Sequence, residues 1–482
     1  MEEERSDDRD GPPRRVRRRW PRRVGLTILL LIVLIVAMQW GANRRAAHGL
    51  ATEMAAYRAA GEPATPEELN QWPGLRSGSG ENAVPLLRAA GASLDSASAS
   101  FHAAMDALYK PPPDGADPAP IETLVASHSQ TLATLDEATS KGLVDWDPHY
   151  TSPVMGSMAA PTDLSQQAAL AQLLNAAAVV AHHRGDDAEA LRRIDQMRFV
   201  ADALDHQPGV TFHLIATSYE VRAAWALADL APELTVGAGP GAVAPQRLRE
   251  QIGAWLDERA AGEGLRRMFV GERVMELDFP NGIMAPSAGT FGGVNLRIPG
   301  VRFFVQPFVV DNARVMARGT TALKEAAARQ PDLPSFRAKL ATTDPMAEAT
   351  RSPRRYALAT IIFPTLTGAV EQHYRGLAQR RLTAVCLATR LYALDHGGAL
   401  PAKLDDLVPD YLPAVPLDPQ AAGATLRYVN DRSDPARPRV YSVGPDGIDD
   451  GGVERPASAS NRQRPASGWD EVRTLKAHPR GG

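Results

Sequence analysis

Along the chain the apolar positions fall into three regimes. The first is continuous: residues 24–38 carry no charge, and Trp20 and Trp40 flank the run. As helix, the stretch from one tryptophan to the other spans about 30 Å, the thickness of a bilayer's hydrocarbon core. The second regime has the three-and-four spacing of amphipathic helices. Its clearest stretch is 163–207, where Leu164, Ala168, Ala171 and Leu174 line a helix ending at Arg184-Gly185. Asp186-Asp187-Ala188-Glu189 then caps the start of a second helix carrying Leu191, Ile194, Val200 and Leu204. Pro208-Gly209 breaks it, and 210–230 makes a third. The same spacing predicts helices over 46–60, 245–261, around 265–277, 302–329 and 357–395. In the last, Val370, Leu377, Ala384 and Leu391 form one seam, with Leu387 and Leu394 beside it. The third regime begins where Gly397-Gly398 and Pro401 stop that helix. Two β-like runs, 425–430 and 439–443, lead into an acidic, glycine-rich loop at 444–452.

Breakers divide these elements. Gly and Ser at 76–80 read as a flexible joint, the prolines of 110–120 as a loop, and 236–243 as a linker. Residues 280–299 are glycine-rich and weakly patterned, which predicts a surface excursion. Beyond Gly452 the Pro, Ser, Ala and Arg content predicts a disordered tail at 453–482, with at most a docked Trp469.

Charge orients the anchor. Arg14, Arg15, Arg17, Arg18, Arg19, Arg22 and Arg23 precede the apolar run, against Arg44 and Arg45 just after it. This asymmetry predicts a basic cytoplasmic tail (1–23), a single transmembrane helix (24–40) and an extracytoplasmic body. Gln39-Trp40-Gly41-Ala42-Asn43 offers a poor cleavage site, which favours an uncleaved anchor over a signal peptide. A formal net charge of −3 over 482 residues argues against nucleic acid as an obligatory partner. The single cysteine, Cys386, excludes an internal disulfide and falls beside the apolar seam, as a buried structural thiol would.

The order Leu391-Tyr392, Gly397, Pro401, Leu404, Leu407, Pro419, Tyr428, Tyr441-Ser442-Val443-Gly444 and Asp446-Gly447 resembles the C-terminal part of the type II secretion major pseudopilin, protein G. The resemblance covers roughly 75 of the 482 residues, within 357–452. It implies a helix packed on a short antiparallel sheet and an acidic loop that holds calcium. In the pseudopilin the hydrophobic helix runs straight into this module, whereas here more than 300 residues intervene. The whole chain resembles a broad group of uncharacterised bacterial single-span envelope proteins. The fold expected is therefore mainly α: an N-terminal transmembrane helix, a helical body at 46–354 and a small α+β pseudopilin-like module.

Catalytic signatures are sparse. The sequence has no Gly-x-Ser-x-Gly elbow, no phosphate loop and no His-Glu-x-x-His. Adjacent His182 and His183 point about 100° apart on a helix and suit its C-terminal dipole better than a shared metal. His373 and His396 lie too far apart along one helix to converge. Asp205-His206 and Asp395-His396 end helices, and Glu272, Arg273, Glu276 and Asp278 read as surface or interhelical ion-pair positions. The loop with coordination potential holds Asp446, Asp449 and Asp450. Hard cations take oxygens on flexible turns, and the flanking glycines let carbonyls turn inward. Calcium is the ion expected there; a solvated turn is the competing outcome.

Together these readings predict a non-catalytic structural or interaction protein of the bacterial inner membrane, its body periplasmic and its partner another envelope protein. An accessory of a type II secretion or pilus-like machine is the first alternative. A metal-assisted envelope hydrolase using the acidic loop is the second, and it requires Asp446 or Asp449 to share a deep pocket with a histidine.

Overall fold

The computed structural model describes residues 20–109, 118–154, 161–291, 293–430, 438–453 and 469–475. The protein is mainly helical. Helix α1 (Trp20–Ala59) is continuous, so the predicted span and the helix after it are one rod rather than two. From Arg23 on, its apolar segment reaches a mean hydropathy of 2.4 and is wholly exposed. By length and composition it can cross a membrane. Its second half is fixed to the body: Glu53 accepts from Arg314 Nε at 3.1 Å and Arg318 Nε at 3.0 Å.

Short helices α2 (Pro66–Asn70), α3 (Val84–Ala92), α4 (Ala99–Tyr109), α5 (Ala119–Ser127) and α6 (Ser129–Thr139) follow. The predicted joint at 76–80 is instead strand β1 (Arg76–Gly78), paired antiparallel with β2 (Leu143–Asp145). Gly78 permits this because its positive φ of 73° puts it against the Gly142 carbonyl, where a side chain has no room.

The centre is built from α7 (Pro161–His183), α8 (Asp187–Asp205), α9 (Val210–Leu230) and α10 (Pro245–Leu256). Asp186 caps α8 as its sequence predicts, accepting the Glu189 N–H at 3.0 Å. Helix α11 (Arg259–Met284) runs past Pro280, further than the breaker at that position suggests. A small hairpin, β3 (Thr290–Phe291) with β4 (Val294–Asn295), leads to α12 (Val301–Arg329). Helices α13 (Leu333–Thr343) and α14 (Ala347–Arg351) precede α15 (Ala357–Asp395).

At the C-terminal end, β5 (Arg427–Val429) pairs with β6 (Arg439–Ser442), and β6 with β7 (Glu471–Thr474), all antiparallel. Strand β7 and Trp469 lie in the stretch predicted to be disordered. Val472 and Leu475 are buried, and Glu471 bonds Arg375 Nε at 2.5 Å, which is why this part of the tail is held. The rest of the predicted tail lies outside the described residues, as does the predicted cytoplasmic tail up to residue 19.

The division between a body ending at 354 and a module beginning at 357 is not a division of the core. One cluster of buried side chains joins Leu170, Leu174, Met197, Leu227 and Trp255 to Val385, Leu391, Leu407, Leu426, Val440 and Leu475. Helix α15 is its shared wall.

Candidate functional site

Three helices each carry a polar stripe inside this core. On α8 the stripe is Asp195, Arg198, Asp202 and Asp205; on α9, His213, Thr217 and Glu220; on α15, His373 and Arg380. The first two sets recur at three or four residues and the third pair is seven apart, so each lies on one helix face. Packed together they line an open cavity of about 420 Å³, which Ala254, Asp257 and Ala261 also border.

At its wall His213 Nδ1 lies 2.8 Å from Asp205 Oδ1. The carboxylate can only accept, so Nδ1 carries the hydrogen, and Nε2 is buried without a partner. Burial alone pushes the Asp205 carboxyl up. The adjacent His213 and then Arg267 outweigh it and hold the group below its ordinary value. Gly264 is required here, because a Cβ at that position would overlap Asp205 Oδ2. The His373 ring centroid is 5.8 Å from that of His213. Burial, and next the neighbouring His213, drive His373 down to about 3, so it stays neutral. His373 thus faces a histidine on another helix, while His396 lies exposed and stacked on Tyr392. His206 turns to its own helix, with Nδ1 2.8 Å from the Asp202 carbonyl.

The arginines are consumed by the fold. Arg380, only 2% exposed, donates to Glu220, to the Ala254 carbonyl at 3.0 Å and to the Asp257 carbonyl at 2.5 Å. Arg198 lies 4.1 Å over the Trp255 ring and donates to Ala254 O at 3.1 Å. Asp195 accepts from Gln251 at 2.8 Å and from Arg247. Chemically, an Asp-oriented imidazole with a free Nε2 is half of a base–nucleophile arrangement. No hydroxyl or thiol among the described residues supplies the other half, since Nε2 has no partner.

Helix α11 corrects another expectation. Arg273 does make an ion pair, with Glu62 in the connection between α1 and α2, at 2.6 Å. Among the described residues Glu272 and Glu276 make none. Glu272 accepts the Val210 N–H at 2.5 Å and is raised by burial to about 7. Glu276 accepts from Thr320 at 2.8 Å, and burial raises it well above the usual carboxylate range. Asp278 accepts from Ser152 Oγ at 2.5 Å and Val154 N at 2.6 Å. Glu276 stays neutral, and Glu272 holds its proton up to about pH 7, because an unpaired buried carboxylate costs more than a retained proton. His182 is likewise a packing residue: its Nδ1 is 2.5 Å from Asp187 Oδ1, while His183 is exposed.

The acidic loop lies elsewhere, against the small sheet. Asp449 accepts from Arg427 Nε at 2.7 Å, Tyr441 OH at 3.0 Å and Gly451 N at 3.0 Å. Asp446 Oδ1 accepts the Ile448 N–H at 3.1 Å, and its Oδ2 is buried without a partner. Asp450 donates its backbone N–H to Asp470 at 3.4 Å. Among the described residues no three His, Cys, Asp or Glu side chains are grouped to hold a metal. As placed, Asp446, Asp449 and Asp450 serve local turns and Arg427, and do not converge on one cation. Neither Asp446 nor Asp449 borders the cavity that holds His213 and His373.

The polar cavity has no signature in the local spacing of its histidines, because His213, Asp205 and His373 come from three different helices. Its signal was present as heptad-like polar stripes within otherwise apolar helices, legible only once three stripes are set against each other. The chain matches no protein-family model, no curated protein and no solved structure.

Proposed function

We propose that this chain is a membrane-anchored structural or interaction protein of the bacterial envelope, non-catalytic, with its body on the extracytoplasmic side. The observation that carries the reading is the continuity of α1, an exposed apolar helix that enters the body without a joint and is clamped there through Glu53. A rigid stalk of this kind positions a body relative to a membrane. The helix α15 with the antiparallel sheet β5-β6-β7 supports the pseudopilin-like reading of the C-terminal end. A place as an accessory of a type II secretion or pilus-like machine rests on that likeness alone.

A second reading follows from the Asp205–His213 pair: the cavity takes a small polar ligand, or a substrate, at Nε2. Hydrolysis of p-nitrophenyl acetate separates the two. The native chain and His213→Gln are expected to turn the ester over equally slowly. A gap on the order of a hundredfold, the low end of what a positioned base supplies, would make the cavity an active site and overturn the non-catalytic reading.

A further inference from the structure

The excursion between α11 and α12 meets the anchor at one particular height. Gln39 Nε2 donates to the Phe303 carbonyl at 2.9 Å and the Phe304 carbonyl at 3.2 Å, and Asn43 Nδ2 to Phe303 O at 3.1 Å. Residues 39–43 follow directly on the charge-free run that ends at Met38. The start of α12 is therefore held where a spanning α1 leaves the hydrocarbon and enters the headgroup layer. On this excursion and the start of α12 large apolar side chains are bare: Ile298 is 53% exposed, Phe304 49% and Val294 43%, and on α1 Trp40 is exposed as well.

Two arginines accompany them. Arg297 and Arg302 line a cleft of about 430 Å³ together with Leu296, Ile298 and Phe303. Arg302 donates to the Pro286 and Ala288 carbonyls at 3.2 Å each, and its Nε is buried with no partner. Only the backbone N–H of Arg297 is bonded, to Asn295 Oδ1 at 2.9 Å. Neither guanidinium has an ion pair among the described residues. Several other arginines of this body are matched by acids, as in Arg273–Glu62, Arg314–Glu53 and Arg380–Glu220.

We propose that residues 294–304 form an interfacial site for an anionic phospholipid of the membrane that α1 crosses. Ile298 and Phe304 enter the acyl boundary, and Arg297 and Arg302 take the phosphate. The membrane is the occupant because the patch is continuous with the span and at its exit level, and because apolar side chains rimmed by basic ones are the composition of interfacial segments. Guanidinium forks match phosphate oxygens. The site would tie the body to the bilayer at a second point and so fix its tilt. It rests on the anchor reading proposed above.

The test uses the full chain in phosphatidylcholine–phosphatidylglycerol nanodiscs, with a bimane label at Ile298→Cys, Trp40→Cys or Ile448→Cys. Cys386 does not compete for label, being buried with its thiol pushed up to about 12 by burial. Brominated lipids should quench the label at 298 and at 40 but not at 448. At equal mole fraction, brominated phosphatidylglycerol should quench position 298 more than brominated phosphatidylcholine. The enrichment should be on the order of fivefold per arginine, and adding Arg297→Gln should reduce it. Arg297→Gln removes no hydrogen bond of the fold, so loss of folding does not confound it. Quenching at 40 without quenching at 298 would overturn the lipid site while leaving the anchor intact. Quenching at neither would remove the anchor, and the site with it. Equal quenching by the two lipids would remove the anionic preference.

Discussion

Glu272 and Glu276 lie one turn apart on α11, both buried and neither paired with a cation. Burial raises Glu272 from the usual 4.5 to about 7. The folded chain therefore keeps a proton that the unfolded chain releases between those values. The stability tied to this group is whole below about pH 4.5, falls as pH rises, and is gone above about pH 7. Glu272→Gln keeps an oxygen for the Val210 N–H and removes the titration. It should stabilise the protein at pH 8 by up to about 3 kcal/mol and change little near pH 4, as read by chemical denaturation at the two pH values. An equal offset at both would mean that Glu272 ionises normally in the fold. Arg273, between the two acids, shows the opposite solution: Glu62 meets its guanidinium, and the Tyr57 ring lies 4.0 Å away.

Among the elements, the loop after β6 bears most directly on function. Sequence spacing and the pseudopilin resemblance both offer Asp446, Asp449 and Asp450 to calcium. In the fold Asp449 bridges Arg427 and Tyr441, which fastens the loop to β5 and β6. A calcium ion would have to displace Arg427 before it could use that carboxylate. The native chain is therefore expected to melt at the same temperature in chelator and in millimolar calcium, the range in which extracytoplasmic sites fill. A calcium-dependent rise in Tm that Asp446→Ala abolishes would establish the ion. The turn itself was legible from its glycines, and Gly444, Gly447, Gly451 and Gly452 all take positive φ. The partners of its carboxylates were not, because Arg427 is supplied by another strand.

At the scale of the whole molecule, α15 decides how the chain divides. Thr383 Oγ1 donates to the Ala224 carbonyl at 3.1 Å, Trp225 Nε1 to Gln379 at 2.9 Å, and Arg390 to Leu234 O at 2.6 Å. These bonds fasten α15 to α9 and the turn after it. A fragment of residues 357–475 would expose this face, with Arg380 stripped of Glu220 and of its carbonyl partners. Its expected state is unfolded or aggregated, checked by circular dichroism and a melting scan; a cooperative transition in the isolated fragment would restore an independent module. The orientation of the anchor has its own check. A reporter active only outside the cytoplasm, fused after Gly482, should give signal, and a silent C-terminal fusion would reverse the topology.

What the sequence by itself determined follows from local physics. A charge-free run between two tryptophans makes an exposed helix long and apolar enough to cross a membrane, apolar residues at three and four make helix faces, and Asp186, Gly209 and Gly397 set where helices start and stop. Cys386 is buried, as its place beside the seam predicts. These outcomes depend on neighbours a few residues away, so the chain states them directly. Tertiary structure decided the rest. It merged the span with the following helix, drew 469–475 out of a tail of low-complexity composition, and joined body and C-terminal end through one core. It also turned Glu272 and Glu276 from expected ion-pair positions into neutral buried acids, and set His213 against Asp205 and His373. Each of these depends on which face of one helix meets which face of another across many residues of chain. Pairings of that kind, and the burial that fixes a side chain's charge, have no counterpart in local spacing.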